Sequence, residues 1–181
     1  MEIMYNFAAD NYKDTTKRNQ TNKKTYDIMQ IIKDKQFGGE RPLFASHDLH
    51  IDNVLITEGE SAIKECSNIK ATNCRFEGNY PFWHVHGFEI GNCYFAVGGR
   101  SALWYCDHLK MRDTVIDAPK MFREMSHLEL KNVTMNDADE VFWRCDNIRI
   151  ENLKMHGGTY PFMFSHDVYV DGLESDSKYV F

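Results

Sequence analysis

Residues 82–93, FWHVHGFEIGNC, bring two imidazoles and a thiol into one short stretch. Nitrogen and sulfur are the ligands that Zn²⁺ prefers, so the first chemistry this stretch suggests is a metal site formed by His84, His86 and Cys93. A metal site needs ligands that converge on one point. Whether these three converge depends on the structural element that carries them, and the pattern of the surrounding chain predicts that element.

A repeat of 19 to 21 residues runs from Leu43 to the end of the chain. Six columns of apolar residues recur over seven rows, and apolar and polar residues alternate within each row, which is typical of strands. The first column is Leu43, Ile63, Phe82, Leu103, Phe122, Phe142 and Phe162. Such a row is too short for a strand and a full helix. The pattern therefore predicts an all-β fold that winds coil upon coil.

The fold that fits this repeat is a single-stranded right-handed parallel β-helix of about seven coils, each with about three short strands. The right hand follows from the handedness of crossovers between parallel strands. A left-handed hexapeptide helix and a pentapeptide-repeat solenoid are the competing architectures. Neither a strict six-residue nor a strict five-residue period is visible in the chain.

Placed in these rows, the three candidate metal ligands fall in three different columns. Cys93 lies in an apolar column, His86 in a polar turn column, and His84 in an outward column. We therefore predict no metal site here and assign no metal or other cofactor to the chain. A later turn carries acids that could bind Ca²⁺ but are typical of a solvated loop: Asp137, Asp139 and Glu140.

Two columns consist of residue types that tolerate positive φ or form turns, and they predict two corners in each coil. The first is Asp48, Asn68, Gly87, His108, His127, Asn147 and Asp167. The second is Asn53, Asn73, Asn92, Asp113, Asn132, Asn152 and Gly172. Stacked asparagines should donate hydrogen bonds from one coil to the next. A third column alternates in charge between coils, which favours in-register stacking and predicts a solvated face: His50, Lys70, Glu89, Lys110, Glu129, Arg149 and Tyr169.

The outward positions after the first apolar column hold aromatic and charged residues side by side. The candidate ligand-binding residues are Trp83, Trp104, Arg123 and Trp143, and the weaker catalytic candidates are His84, Tyr105, Glu124 and Arg144. Aromatic rings beside carboxylates and bases suit sugars, and Glu124 with His84 or Arg123 could act as a general acid–base pair. The alternative is that the indoles pack under loops or in a dimer contact.

Net charge, apolar runs and cysteine content narrow the classes of binding partner and the cellular location. A net charge of −6 argues against a nucleic-acid ligand, because phosphates need a basic surface. No apolar run is long enough to span a bilayer, and the N-terminus lacks the pattern of a secretory signal. Five cysteines without a CxxC pair indicate reduced thiols. These observations predict a cytoplasmic protein with no membrane partner.

Several motifs resemble a bacterial family known as domain of unknown function 3737, which is grouped with the pectin-lyase-like right-handed β-helix proteins. The motifs are FGGERPLF (37–44), TEGESA (57–62), FEGNYPFW (76–83), LWY (103–105) and DAPKMFRE (117–124). The resemblance covers about residues 29–181. It implies the same fold as the columns do, and it brings no activity, substrate or catalytic residue.

These patterns divide the chain into three parts. Residues 1–28 form a polar extension, disordered or loosely helical; residues 29–42 form an N-terminal capping segment; residues 43–181 form the β-helix. The last coil should expose its strand edges, so we expect a homo-oligomer or an end covered by another chain. The expected function is a β-helix scaffold or binding module, with saccharide as the ligand class. The alternative is a carbohydrate-active enzyme, either a hydrolase or a lyase-like protein.

Overall fold

The structure, a computed structural model, describes residues 29–181 and confirms the all-β prediction: parallel strands stack as a β-solenoid of about seven coils. The only helical element among these residues is a 3₁₀ turn at Val97–Gly99. No helix in the described range has the length and apolar character needed to cross a bilayer. The extension predicted for residues 1–28 lies outside the described residues.

Thirteen strands run in chain order, and every pairing between them is parallel. They are β1 (Gln30–Lys33), β2 (Gln36–Glu40), β3 (His47–Asp52), β4 (Leu55–Glu60), β5 (Ile63–Thr72), β6 (Arg75–Phe76), β7 (Phe82–Gly91), β8 (Tyr94–Phe95), β9 (Leu103–Trp104), β10 (Asp107–Ile116), β11 (Ser126–Met135), β12 (Asp146–Met155) and β13 (His166–Ser175). Strands β1 and β2, from residues 29–42, pair with β3 and β4 of the first full coil.

Equivalent positions of successive coils lie directly opposite each other, as the columns predict. Leu109 of β10 faces Leu128 of β11, and Leu128 faces Ile148 of β12. The first apolar column is buried along its whole length. In its last coils the rings of Phe122 and Phe142 stack with their centroids 4.7 Å apart. The interior of the solenoid is therefore a set of side-chain ladders that run parallel to its axis.

Each coil turns at four corners where a residue adopts a left-handed backbone conformation, and Phe122, Phe142 and Phe162 of the first apolar column share that conformation. The two predicted corner columns are confirmed, with φ near +50° at Asp48, Asn68 and Asn53, for example. Two further corner columns were not predicted. The first corner is Arg41, Ser61, Tyr80, Ser101, Lys120, Glu140, Tyr160 and Tyr179. The second corner is Ala45, Glu65, His84, Tyr105, Glu124, Arg144 and Phe164. The four corners are unequally spaced, so the coil is not built from five- or six-residue units.

The prediction of about three short strands per coil was wrong for most coils. Ten-residue strands such as β5 continue through two left-handed corners, at Glu65 and Asn68, because the hydrogen bonds between coils persist around the bend. Neighbouring coils bend at the same positions, so their backbone donors and acceptors stay opposite each other. A sharp change of direction in this fold does not require the ladder to break.

Polar ladders reinforce the corners and the outward faces. Asn92 donates a side-chain hydrogen bond of 2.7 Å to Asn73, and Asn152 donates one of 3.1 Å to Asn132, as predicted for that column. The alternating charges also meet, with 3.9 Å between Lys70 and Glu89. That pair is exposed to solvent, so it contributes to register more than to stability.

The cysteines contribute apolar bulk to the core. All five are free and buried, which agrees with the expectation of reduced thiols. Burial raises the pKa of Cys106 and of Cys145 to about 12, so both stay protonated at neutral pH. Neither thiol is suited to nucleophilic chemistry.

Truncation of one member of the aromatic ladder should be costly. Phe142→Ala removes a fully buried ring that stacks on Phe122 and Phe162, and we expect the free energy of unfolding to fall by about 3–5 kcal/mol. Val115→Ala, at a position that is 39% exposed, should change it by less than about 1 kcal/mol. Urea denaturation measures both, and equal losses would contradict the assignment of Phe142 to the core.

Candidate functional site

The candidate site lies on the short side of each coil between the first and second corners. In one coil this side runs from Ser101 to Tyr105, both of which are left-handed. Ala102 and Leu103 between them are buried, and Trp104 is half-buried. We call this side the tryptophan face and define it by Trp83, Trp104, Arg123 and Trp143.

The tryptophan face is a continuous stack of aromatic rings and cations. Lys64 places its ammonium 5.0 Å from the ring centre of Trp83, and Trp83 stacks on Trp104 at 5.3 Å with an angle of 23° between the planes. The Arg123 guanidinium lies 5.9 Å from the Trp104 ring and 5.1 Å from the Trp143 ring. The contacts of Lys64 and Arg123 are attractive because a cation meets the negative face of an aromatic ring, and the Trp83–Trp104 contact is a ring–ring stack.

Arg123 is also fixed by an ion cluster at the first corner. Its guanidinium lies 3.3 Å from a carboxylate oxygen of Glu140, and Lys120 donates a 2.9 Å hydrogen bond to the same oxygen. The hydrogen bond from Lys120, together with the charge of Arg123, holds the pKa of Glu140 below its ordinary value. Arg123 is therefore engaged with Glu140, and among the contacts of residues 29–181 none pairs it with Glu124.

The stacking leaves ring edges rather than ring faces for a ligand. The faces of Trp83 and Trp104 are turned toward each other and toward the cations of adjacent coils. Within residues 29–181 the buried indole nitrogen of Trp104 has no hydrogen-bond partner. Trp83, Trp104, Arg123 and Trp143 thus pack into a continuous wall, and their predicted role in binding a ligand stays a prediction.

The second corner forms the edge of a shallow depression of about 360 Å³ beside this wall. Three of the four catalytic candidates line it: Tyr105, Glu124 and Arg144. Asp107 and Ser126, which sequence reasoning did not select, line it as well. They belong to a column that alternates serine with acids and histidines, and that polar alternation beside the second corner was the available signal.

His84 stands in the same column as Tyr105, Glu124 and Arg144 but has different partners. Its Nδ1 lies 3.3 Å from Glu65, and its ring meets the Tyr105 ring edge-on at 5.3 Å. His84 does not line the depression. Its role in the structure is to hold one side of Tyr105.

Asp107 is held by two histidines: His86, its register partner in the preceding coil, and His108 at the next corner. His86 contacts one carboxylate oxygen at 2.7 Å, and His108 contacts the other at 2.8 Å. Burial pushes the pKa of Asp107 upward, but the hydrogen bonds from the two histidines outweigh it, so the net pKa is lowered. The ring of His108 also stacks on that of His127 at 4.4 Å. Asp107 is a fixed carboxylate at the rim of the depression.

Exposed aromatic rings lie on either side of Glu124 and Arg144 in the second corner column. Tyr105 is 39% exposed and Phe164 is 55% exposed, and Glu124 and Arg144 occupy the two coils between them. The Arg144 guanidinium lies 5.7 Å from the Phe164 ring. The row therefore presents a ring, a carboxylate, a guanidinium and a second ring over about 14 Å, given a rise of roughly 4.8 Å per coil.

The bulky residues of this corner adopt a conformation that disfavours them. A left-handed backbone costs roughly 1–2 kcal/mol for most side chains and much less for Asn, Asp or Gly. The other half of the coil uses those tolerant types, as at Asn68 and Asn73. Tyr105, Glu124 and Arg144 stand where a tolerant residue would fold more easily, as do bulky residues of the first corner such as Tyr80 and Tyr160.

The fold separates the three candidate metal ligands, His84, His86 and Cys93. Cys93 is buried in the core, His86 contacts Asp107, and His84 contacts Glu65. Over the described range no three His, Cys, Asp or Glu side chains form a group that could hold a metal ion. In the acidic turn, Glu140 is paired with the cations at the first corner.

Comparison with known families gives one match. Residues 30–181 match the family described as Protein of unknown function (DUF3737). The chain belongs to this family. No curated protein matches it. The wider grouping of DUF3737 with pectin-lyase-like proteins stays a prediction from the sequence motifs, and the family brings no assigned site to the tryptophan face.

Substitution in the ion cluster of this DUF3737 protein tests how much Glu140 contributes to the stability of the wall. Glu140→Gln leaves Lys120 and Arg123 without their shared anion at a half-buried site, and we expect a loss of about 1–3 kcal/mol in unfolding free energy at pH 7. The pKa of Glu140 is lowered in the folded state, so its contribution is complete at neutral pH. It should begin to decrease as the pH falls below about 4.5 and disappear once the pH is below the lowered pKa of the folded state.

The matched control for that variant is Glu151→Gln. Glu151 pairs with Lys131 at an exposed position, and its replacement should cost less than about 0.5 kcal/mol. Urea titrations of both variants at pH 7 and at about pH 2, where carboxyl groups are largely protonated, make the comparison. A Glu140 effect no larger than that of Glu151 would show that Arg123 is held by ring stacking alone.

Proposed function

We propose that this protein is a non-catalytic binding module whose second corner binds a saccharide chain along the solenoid axis. The observation that carries the proposal is the row of exposed rings and charges from Tyr105 to Phe164, with the depression at Glu124 and Arg144 between them. Sugars offer apolar ring faces and hydroxyl edges, and these suit exposed aromatic rings beside paired donors and acceptors.

Rigidity supports this assignment. The wall of stacked indoles and the ion cluster at Glu140 fix the backbone from which the second corner projects. Residues from consecutive coils keep a regular spacing because hydrogen bonds tie each coil to the next. A preformed row of this kind loses little conformational entropy when an extended ligand binds.

The shape of the depression supports binding rather than turnover. It is shallow and open to solvent. Catalysis of glycosyl transfer depends on excluding water and on placing two carboxyl groups on either side of one bond. Both oxygens of Asp107 are engaged by His86 and His108, which keeps that carboxylate charged and oriented away from proton transfer.

One observation favours the enzyme as a second candidate. Asp107 and Glu124 line the same depression together with Tyr105, and a pair of carboxylates is the usual machinery of glycoside hydrolysis. In that reaction Glu124 would be the proton donor and Asp107 the charged partner. A bound glycan that is cleaved by the native protein but not by Glu124→Gln would establish this alternative.

A glycan array with the full chain tests the binding proposal. We expect native protein to bind a subset of glycans, and Tyr105→Ala and Arg144→Ala each to weaken binding at least tenfold because they remove a ring and a cation from the row. Matched controls are Tyr160→Ala, an exposed ring of the first corner, and Arg149→Ala on the charged face. Both controls should bind as native protein does.

Either of two outcomes would contradict the proposal. Absence of glycan binding by native protein, or equal loss in the Tyr105 and Tyr160 variants, would remove the second corner as a saccharide site. Circular dichroism of each variant separates loss of binding from loss of fold.

A further inference from the structure

One side of the solenoid carries two outward columns of charge, and only one of them alternates in sign. It is the side between the corners of Asn68 and Asn73. The alternating column, which contains Glu89 and Lys110, places opposite charges side by side on neighbouring strands. The other column lies two positions later in each coil and runs through β10–β13 as Arg112, Lys131, Glu151 and Asp171. We call these four residues the segregated column, because its cations occupy one half and its acids the other.

The order of charges in the segregated column is unfavourable within one chain. Arg112 is the register partner of Lys131, and Glu151 is the register partner of Asp171. Like charges that lie opposite each other on neighbouring strands destabilise a sheet. Only the middle pair is favourable, with 2.7 Å between Lys131 and Glu151. Stacking within the chain therefore does not explain why the charges are grouped by sign.

The position of Arg112 agrees with this repulsion. Its guanidinium turns away from Lys131 and lies over Gly91 of the preceding coil, where an ideal Cβ would be 3.4 Å from the guanidinium carbon. The same group lies 3.1 Å from Asp113, and both side chains are exposed. Arg112 is thus held only by a surface ion pair, which makes it available to a stronger anionic partner.

The segregated column is complementary to its own reverse. Two cations followed by two acids become two acids followed by two cations when a second copy is turned end for end. A two-fold axis at right angles to the solenoid axis, passing between β11 and β12, makes this rotation. It sets Arg112 opposite Asp171 of the second copy and Lys131 opposite Glu151 of the second copy, and the symmetry makes each contact twice.

The same axis suits the alternating column. It sets Glu129 opposite Arg149 of the second copy, and it sets Lys110 opposite the ring of Tyr169 of the second copy, where a cation meets an aromatic face. An axis one coil earlier would set Arg112 of one copy against Lys131 of the other, and an axis one coil later would set acid against acid. The charges of this side therefore select one position for the axis.

The eight side chains that would meet across the axis line one open depression of about 680 Å³. Strands β10–β13 extend over about 14 Å along the solenoid axis, because each coil rises by roughly 4.8 Å. The contact is therefore smaller than the roughly 800 Å² per partner that a stable dimer buries. Association through such a charged contact should be weak and sensitive to salt.

We propose that this side of the solenoid is a two-fold interface between two copies of the chain in antiparallel orientation, with the cations of each segregated column paired to the acids of the other. The contact is closed by its symmetry, so it gives a dimer and no longer assembly. It involves the sides of the coils in β10–β13 and is independent of saccharide binding at the second corner, which lies on another side of the coil.

Sedimentation equilibrium of the full 181-residue chain tests the dimer. We expect the average mass to rise with concentration from 21.2 kDa toward twice that value and no further. The dimer dissociation constant should increase about tenfold or more when NaCl is raised from about 20 mM to about 500 mM, because salt screens the charge pairs. Native protein that stays monomeric up to about 1 mM at low salt would overturn the proposal, as would a mass that grows beyond the dimer.

Charge reversal tests the contact itself. Arg112→Glu and Asp171→Lys should each raise the dissociation constant about tenfold or more, because each sets like charges opposite each other across the axis. The double variant, and an equimolar mixture of the two single variants, should regain dimers because opposite charges meet again. Matched controls are Arg100→Glu and Asp146→Lys, which make the same changes in net charge at exposed positions on other sides of the coil and should associate as native protein does.

Three results of these variants would overturn the antiparallel contact. An effect of Arg112→Glu no larger than that of Arg100→Glu would show that net charge alone governs association. A double variant that stays monomeric would show that Arg112 and Asp171 do not meet. Tighter association of Arg112→Glu would indicate a parallel two-fold arrangement, because Arg112 would then lie opposite Lys110 of the second copy.

Discussion

Parallel hydrogen bonding between one coil and the next is the constraint on which this structure depends. Each coil must follow its predecessor at the strand spacing of about 4.8 Å, so every position in a coil stacks on its equivalent in the next. A bulky or polar side chain therefore packs against or hydrogen-bonds to its equivalents in the neighbouring coils. Stacked phenylalanines such as Phe122 and Phe142 and stacked asparagines such as Asn132 and Asn152 are two results of one rule.

The same constraint makes one side of the solenoid suitable for recognition. The short side between the first and second corners holds rings and cations at fixed intervals, and their mutual stacking locks the wall in place. The second corner then carries Tyr105, Glu124 and Arg144 at successive coils on a left-handed backbone. The binding proposed for the corner and the packing of the wall thus depend on a single arrangement.

The columns of the sequence predict the coil, its core and the two corners that use Asn, Asp, Gly and His, because burial and left-handed tolerance restrict residue type. The other two corners could not be predicted, since Ser101, Tyr105 and Glu140 have no preference for that conformation. The row of Tyr105, Glu124 and Arg144 followed from spacing alone. The covered indole faces and the partnership of Asp107 with His86 depend on side-chain directions at a bend, which the order of residues does not reveal.

Spin labelling of one column tests the stacking rule most directly. Glu129 and Arg149 are exposed and directly opposite in β11 and β12, whereas Lys154 lies around a corner in the same coil as Arg149. Nitroxides on cysteines introduced at Glu129 and Arg149 should lie within about 5 Å at their backbones and give an exchange-broadened spectrum. Labels at Glu129 and Lys154 should not interact. Sharp lines from the first pair, or broadening from the second, would contradict in-register coils.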